Sequence, residues 1–307
     1  MATDQLSTST RVSNAVRNAV ESVVSPTTER QREIRRVITL CLPFSILLLI
    51  SGVFPLAEMF RISFSESRLV TKGFTTEFYQ TLVADPYYRN IAFNTLWFAA
   101  ATTVASICVA VPVAHALEKY RLPAKPAILT VLSFPNSLPG IVAAFMIIIL
   151  FGNTGVFTNV IAFLSGQSRI DVAFSTGVLG LFFAYIYSMI PRALLLLRGT
   201  YAEVNTDAEE AARVLGATPL ETFRYVTLPQ IKPGLIGAAV LVFRTGLAIF
   251  GTVLILKGLL VWTLQIDREL TQGFNIAQAS AMATLWFAFV FGFTVLILKY
   301  TTAEVSI

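Results

Sequence analysis

The sequence predicts an all-α membrane protein of about six transmembrane helices. Three observations carry that prediction. Hydrophobic residues make up 55% of the 307-residue chain and charged residues 13%, against about a quarter charged in soluble domains. The mean hydropathy is +0.70. The apolar residues gather in runs of about 20, the length that crosses roughly 30 Å of hydrocarbon, and none alternates as a porin strand does. Disorder is excluded for the bulk of the chain. Cys41 and Cys108 lie in apolar runs and read as buried small hydrophobes. One histidine and two cysteines make no zinc or haem cluster.

Six runs qualify as spans: Val37–Phe60, Asn90–Leu117, Ala127–Phe151, Thr176–Leu197, Pro233–Leu256 and Ala277–Lys299. The first exceeds a signal-peptide core and lacks a small-residue cleavage site, so it reads as an anchor. In the third, Pro135, Pro139 and Gly140 predict a kink, because proline removes a helix hydrogen bond and clashes with the preceding turn. Broken backbone at membrane depth is tolerated only within protein or beside a water-filled cavity. Pro139 and Gly140 are therefore candidate pathway residues.

Lysine and arginine set the orientation. The loops beside the termini collect Lys119, Arg121, Lys125, Arg198, Arg213, Arg224 and Lys232, and the tails add Arg11, Arg17, Arg30, Arg32, Arg35, Arg36 and Lys299. The other side holds Arg61, Arg68, Lys72, Arg89, Arg169, Lys257 and Arg268. The excess places both termini in the cytoplasm. The expected organisation is a basic tail over 1–36, a transmembrane domain over 37–300 with a patterned cytoplasmic loop over 199–231, and a short tail over 301–307.

That loop carries two helix starts. Thr206-Asp207-Ala208-Glu209 fits a capping box, and Glu209 and Arg213 stand at i, i+4. Gly216 offers the left-handed residue that ends a helix. Thr218-Pro219-Leu220-Glu221 is a second capping box with proline at the first helical position, and this helix is expected to stop before Pro229. The pattern predicts a helix-turn-helix that buries an apolar face anchored by Leu215 and Phe223.

Glu210-Ala211-Ala212, three residues, Gly216, nine residues, Val226, one residue, then Leu228-Pro229 resembles the EAA loop of ABC importer permeases. Val226 stands where that family carries isoleucine. Asn94-Thr95-Leu96 and Lys232-Pro233-Gly234-Leu235 resemble the same family, and the resemblance covers about Val37 to Lys299. Phe250-Gly251-Thr252-Val253-Leu254 with Gly258 is similar to the group serving polyamines, aminophosphonates, sulfate, ferric iron or thiamine. Relatives often carry an acid just before this Phe-Gly; here it is Ile249, so no role of that acid transfers.

The resemblance implies the type I ABC importer transmembrane domain, with the loop as a coupling element seated on a separate ATPase. Glu209, Glu210, Ala211, Ala212, Leu215, Gly216, Leu228 and Pro229 are the implied coupling residues. Small alanines permit close docking, and Glu210 is placed to pair with a base on the ATPase. The chain has no phosphate-cradling Gly-x-x-x-x-Gly-Lys motif. It is expected to bind no cofactor and to do no covalent chemistry, with ATP and magnesium used by an ATPase dimer. Further implied partners are a second permease, identical or distinct, and the bilayer of a bacterial or archaeal cytoplasmic membrane. A substrate-binding protein is expected to meet the exterior loops, with Asp85–Tyr88 and Gly152–Gly155 as candidate contacts. Nucleic acid is not among the partners. The expected function is passage of a small polar solute, an aminophosphonate, polyamine or similar.

Charge at membrane depth marks function by default, which makes Arg244, expected near the middle of span five, a third pathway candidate. Arg192 is expected to snorkel toward the cytoplasm. His115 and the aromatics Phe182, Phe183, Tyr185 and Tyr187 read as packing residues. An ion-gradient-driven secondary transporter is the alternative, but it calls for mid-span acids and an internal repeat, and neither is visible. An intramembrane enzyme calls for a catalytic cluster that one histidine does not supply.

Overall fold

The computed structural model describes residues 29–66 and 73–305. Most of the expected tail over 1–36 lies outside the described residues, and so do the last two positions of the tail over 301–307. Arg11, Arg17, Arg68 and Lys72, counted for orientation, lie outside them too. The chain divides into two units, Met1–Arg61 and Ile62–Ile307.

The first unit is helical from α1 (Glu29–Leu48) through a π turn (Leu49–Val53) into α2 (Phe54–Ile62). No charged residue falls between Arg36 and Glu58. Leu40, Phe44, Leu47 and Ile50 are exposed. Such a surface suits hydrocarbon as its solvent.

The second unit is built around three long helices, α4 (Pro86–Lys119), α9 (Val178–Tyr201) and α12 (Leu228–Ala248). Their facing sides share one core: Phe98, Ala110, Ala114 and Leu117 from α4, Leu181, Tyr185, Met189 and Leu194 from α9, and Ile231, Ala238 and Val242 from α12. Small residues allow close approach, as expected where lipid removes most of the hydrophobic drive between helices. A β-carbon on Gly246 would sit 3.3 Å from that of Ala99. A second cluster gathers α3 (Glu77–Ala84), the start of α4, α14 (Trp262–Thr271) and α15 (Ile276–Val305) around Trp262. Thr95, inside the Asn-Thr-Leu triplet, accepts from the Trp262 amide at 2.9 Å and so caps the first turn of α14.

Among the described residues six helical stretches are long and apolar enough to cross a membrane: Arg32–Ile62, Pro86–Lys119, Gly140–Ser165, Val178–Tyr201, Pro219–Ala248 and Ile276–Ile297. Two differ from the sequence reading. In span three, α5 (Lys125–Ser133) and a 3-10 turn (Phe134–Ser137) precede the expected break, and α6 (Gly140–Phe151) then runs only 12 residues. The apolar run continues past the Gly152–Gly155 turn, expected to be exterior loop, into α7 (Val156–Ser165). The chain passes α8 (Arg169–Val172) and returns to the end of α6, where Phe151 accepts from the amides of Phe174 and Ser175.

Span five begins earlier than expected and ends sooner. The helix does not stop before Pro229. A π turn (Phe223–Thr227) widens it just ahead of the proline, and α12 follows without interruption. It then breaks at Ile249 and Phe250 and restarts as α13 (Gly251–Leu256). Cys41 and Cys108 are exposed, not buried as expected.

Gly258 follows α13 where the chain crosses the start of α9. A β-carbon there would collide with the Gly177 carbonyl, and backbone cannot yield as a side chain does. Gly258→Ala should therefore cost about 1–3 kcal/mol, read as a lower thermal midpoint in detergent. An unchanged midpoint would contradict this crossing.

Candidate functional site

Two places collect the residues that the sequence singles out. The first is the patterned loop, which folds as α10 (Thr206–Val214), a glycine turn and α11 (Pro219–Thr222). Asn205, not Thr206, caps α10: its side chain accepts from the amides of Asp207 and Ala208 at 2.9 and 3.3 Å. Its own amide donates to Gln230 on α12. The capping box expected at Thr206 is absent because Glu209 has turned elsewhere. The second box forms as expected, with Thr218 and Glu221 exchanging hydrogen bonds. Between them the Gly216 amide donates to Arg213 and the Ala217 amide to Ala212, the paired bonds of a Schellman turn. Gly216 has φ +91°, a conformation that a side chain strains.

The element has its polarity reversed. Glu209 is 4% exposed, and Ala208 and Ala212 are half-buried beside it. Glu210, Ala211 and Pro229 are exposed, Leu228 is half-buried, and Val214 and Leu215 are 86% and 88% exposed. Leu220 and Tyr225 are exposed as well, and Arg224 lies over the Tyr225 ring. Leu215 is thus not the inward anchor that the sequence suggests. Phe223 is, with its ring 5.0 Å from that of His115, which also meets Tyr120 and Tyr201. His115 is a packing residue, as expected.

Glu209 does not pair with Arg213. Its carboxylate accepts from Lys119 Nζ at 2.6 Å and from Thr227 Oγ1 at 2.5 Å. Burial alone would push its pKa up. The hydrogen bonds from Lys119 and Thr227 outweigh that and hold it below the usual carboxylate value. On the last turn of α4, Glu118 accepts from Arg198 Nε at 2.5 Å and from Lys125 Nζ at 3.0 Å. That turn is thereby tied to α5, to the end of α9 and to α10. Sequence reasoning missed Lys119, Glu118, Arg198 and Thr227. The adjacent acid and base at the end of a span were the available signal.

The second place is where the two broken spans meet. Thr252 Oγ1 donates to the Gly140 carbonyl at 3.1 Å. A β-carbon on Gly140 would lie 2.7 Å from the threonine oxygen, so glycine sets the closeness of α6 to α13. Pro139 supplies the extended residue before α6. The carbonyls freed at the end of α12 find side-chain donors: Tyr185 and Thr263 to Ile249 at 3.4 and 3.2 Å, and Trp286 to Leu247 at 3.3 Å. Arg244 is not mid-helix. It stands one turn before this break, exposed, with no ion pair among the described residues. Arg192 does not snorkel; it bends back to the Ser188 carbonyl and hydroxyl at 2.6 and 2.7 Å. Tyr87 and Tyr88 bond Gln265 and Glu269 of α14, and Tyr87 remains exposed.

The family model described as the binding-protein-dependent transport system inner membrane component matches residues 106–302, which contain both places. The chain belongs to this family. It is 30% identical over 173 residues to the sulfate transport system permease protein CysT of Salmonella typhimurium, a match covering 55% of this chain and 60% of that protein. It is 31% identical over 175 residues to the thiamine transport system permease protein ThiP of Brucella abortus, covering 57% of this chain and 32% of that one. The matches thus span less than two thirds of the length of these relatives. The fold is that of a chain in the crystal structure of a bacterial ABC transporter involved in the import of the acidic polysaccharide alginate, with a TM-score of 0.74, 17% identity, and coverage of 90% and 99% of the two chains. The chain is a multi-pass membrane protein with the ABC importer permease fold.

The Glu209 pair makes a pH prediction. Its folded pKa lies below the unfolded value of about 4.3, so its contribution is fully present above that value and is lost as pH falls through the folded pKa. The part of the thermal stability that Glu209 contributes should hold from neutral pH to about 5 and then fall. Glu209→Gln should cost about 3 kcal/mol at pH 7, because Lys119 is left nearly buried without its partner, and should flatten the acid limb. An acid limb unchanged in that variant would contradict the pair.

Proposed function

We propose that this chain is the transmembrane permease subunit of an ATP-driven ABC importer and that α10 and α11 seat on a separate ATPase. The observation that carries this reading is the reversed polarity of the coupling element. Val214, Leu215, Leu220 and Tyr225 form an apolar surface at the elbow of two helices, rimmed by Glu210 and Arg224. Exposed apolar patches rimmed by charge mark docking surfaces, and helix-in-groove docking uses such anchors. The EAA spacing and the family support it. In this reading Leu215 is the anchor, Glu210 pairs with a base on the ATPase, Ala211 permits close approach, and Gly216 sets the elbow. Glu209 holds the element from behind. Leu228 and Pro229 join it to α12. ATP and magnesium belong to the ATPase, and both termini face the cytoplasm with it.

The solute path runs beside the meeting of Gly140 with Thr252. Arginine facing hydrocarbon costs at least about 2.5 kcal/mol, so the face of α12 that carries Arg244 is one that a second permease subunit covers. Its guanidinium favours a small polar solute with an anionic group, such as an aminophosphonate, delivered by a substrate-binding protein. The names of the sulfate and thiamine relatives agree with a small solute.

The test is affinity purification of the chain from detergent, with mass spectrometry of what accompanies it. An ABC ATPase should co-purify. Glu210→Lys and Gly216→Val should leave membrane insertion intact and lose the ATPase, and Leu215→Asp should weaken its binding by about 2 kcal/mol, near 30-fold. Retention of the ATPase by all three variants would refute the docking surface.

A further inference from the structure

The coupling element lies between α9 and α12 in the chain, so any movement it makes reaches those two helices through covalent bonds. Helix α4 has no such link. Lys119 is 90 residues from Glu209, yet its ammonium closes on that carboxylate, and the contact is nearly buried on both sides, 11% and 5% exposed. Three groups on the last turn of α4 grip the cytoplasmic element and its root: His115 against Phe223 and Tyr201, Glu118 against Arg198, and Lys119 against Glu209. A buried ion pair contributes little net stability compared with an apolar pair of the same shape. Fixing a unique register is the best-attested role for one. Here the register is that of α10 on α4.

We propose that the Glu209–Lys119 pair is a strut that delivers movement of α10 to α4, making α4 part of the machine that the ATPase drives. The proposal rests on the importer reading above. It assigns Glu209 and Lys119 as positioning residues. Glu209 faces away from the docking surface, where Glu210, Val214 and Leu215 lie, so the pair acts after the ATPase has been engaged. Helix α4 is long enough to carry the displacement. It runs 34 residues, and Phe93 lies near its far end, about 39 Å from Lys119 at 1.5 Å per residue. At that far end Thr95 caps α14 and Asn94 donates to the Leu260 carbonyl, so a tilt of α4 reaches the segment that follows the broken end of span five. Thr227, the other partner of Glu209, sits in the π turn at the root of α12. The one carboxylate therefore joins the coupling element to two core helices.

The experiment uses the chain with its co-purified ATPase in lipid nanodiscs. Cys41 and Cys108 are replaced by serine, and a nitroxide is attached at Phe93→Cys, an exposed position. Its spectrum is recorded without nucleotide and after trapping with ATP and vanadate. The strut predicts a change on trapping. Lys119→Met should shrink that change at least about fivefold while ATP hydrolysis stays within about twofold, and Lys119→Arg should keep it. The double variant Lys119→Met with Glu209→Met leaves no buried charge unpaired and gives the same readout should the single variant misfold. A spectral change that survives loss of the pair, or none in the unmodified complex, overturns the strut. Failure of any ATPase to accompany the unmodified chain overturns the importer reading itself, and with it the proposal.

Discussion

A carboxylate leaves water only when something replaces its hydration, and Glu209 has found two replacements from distant parts of the chain. Lys119 supplies the countercharge from the end of α4, and Thr227 supplies a hydroxyl from the root of α12. Removing either partner leaves a buried charge without compensation, which costs far more than the net worth of the pair. The arrangement therefore admits one seating of α10 against the bundle. In that seating Glu209, Ala208 and Ala212 turn inward while Glu210, Ala211 and Val214 point out, and Leu215, just past the last helical residue, is exposed. The surface proposed for the ATPase lies on the side of α10 away from that interaction.

The membrane-spanning part obeys a related constraint. Hydrocarbon offers no hydrogen bonds, so a broken helix must find partners for its freed carbonyls inside the protein. The break after α12 finds Tyr185, Thr263 and Trp286, three aromatic or hydroxyl side chains from three separate elements. At the start of α6, Thr252 from α13 adds a hydrogen bond to the Gly140 carbonyl. Two interruptions that would each be expensive alone are placed against one another. That placement leaves irregular backbone, and Arg244 one turn away, at a single level of the bundle.

The fold class and the second capping box could be read directly from the residues, because apolar run length and local hydrogen-bond partners depend only on neighbours in the chain. The Pro139–Gly140 break was legible for the same reason. The end of span five was not. Ile249 and Phe250 are apolar and carry no breaking residue, so the break there comes from side chains on α9, α14 and α15 that bond its carbonyls. Pro229 misled in the opposite sense, since a π turn absorbs it. The reversal of α10 was hidden by a general assumption. Polarity rules place apolar residues inward because water is taken to lie outside, and Val214 and Leu215 do not follow them. The glycine at 216 did mark the turn between α10 and α11.

The central claim is that Leu215 lies at the contact between this chain and an ATPase. A photo-crosslinking amino acid placed at position 215 of the full chain, activated in intact cells, tests it most directly. The account predicts a crosslinked product in which mass spectrometry finds an ABC ATPase, and loss of that product when Gly216 is changed to valine. Crosslinks from position 215 to lipid or to a second copy of this chain alone, with no ATPase, would contradict it.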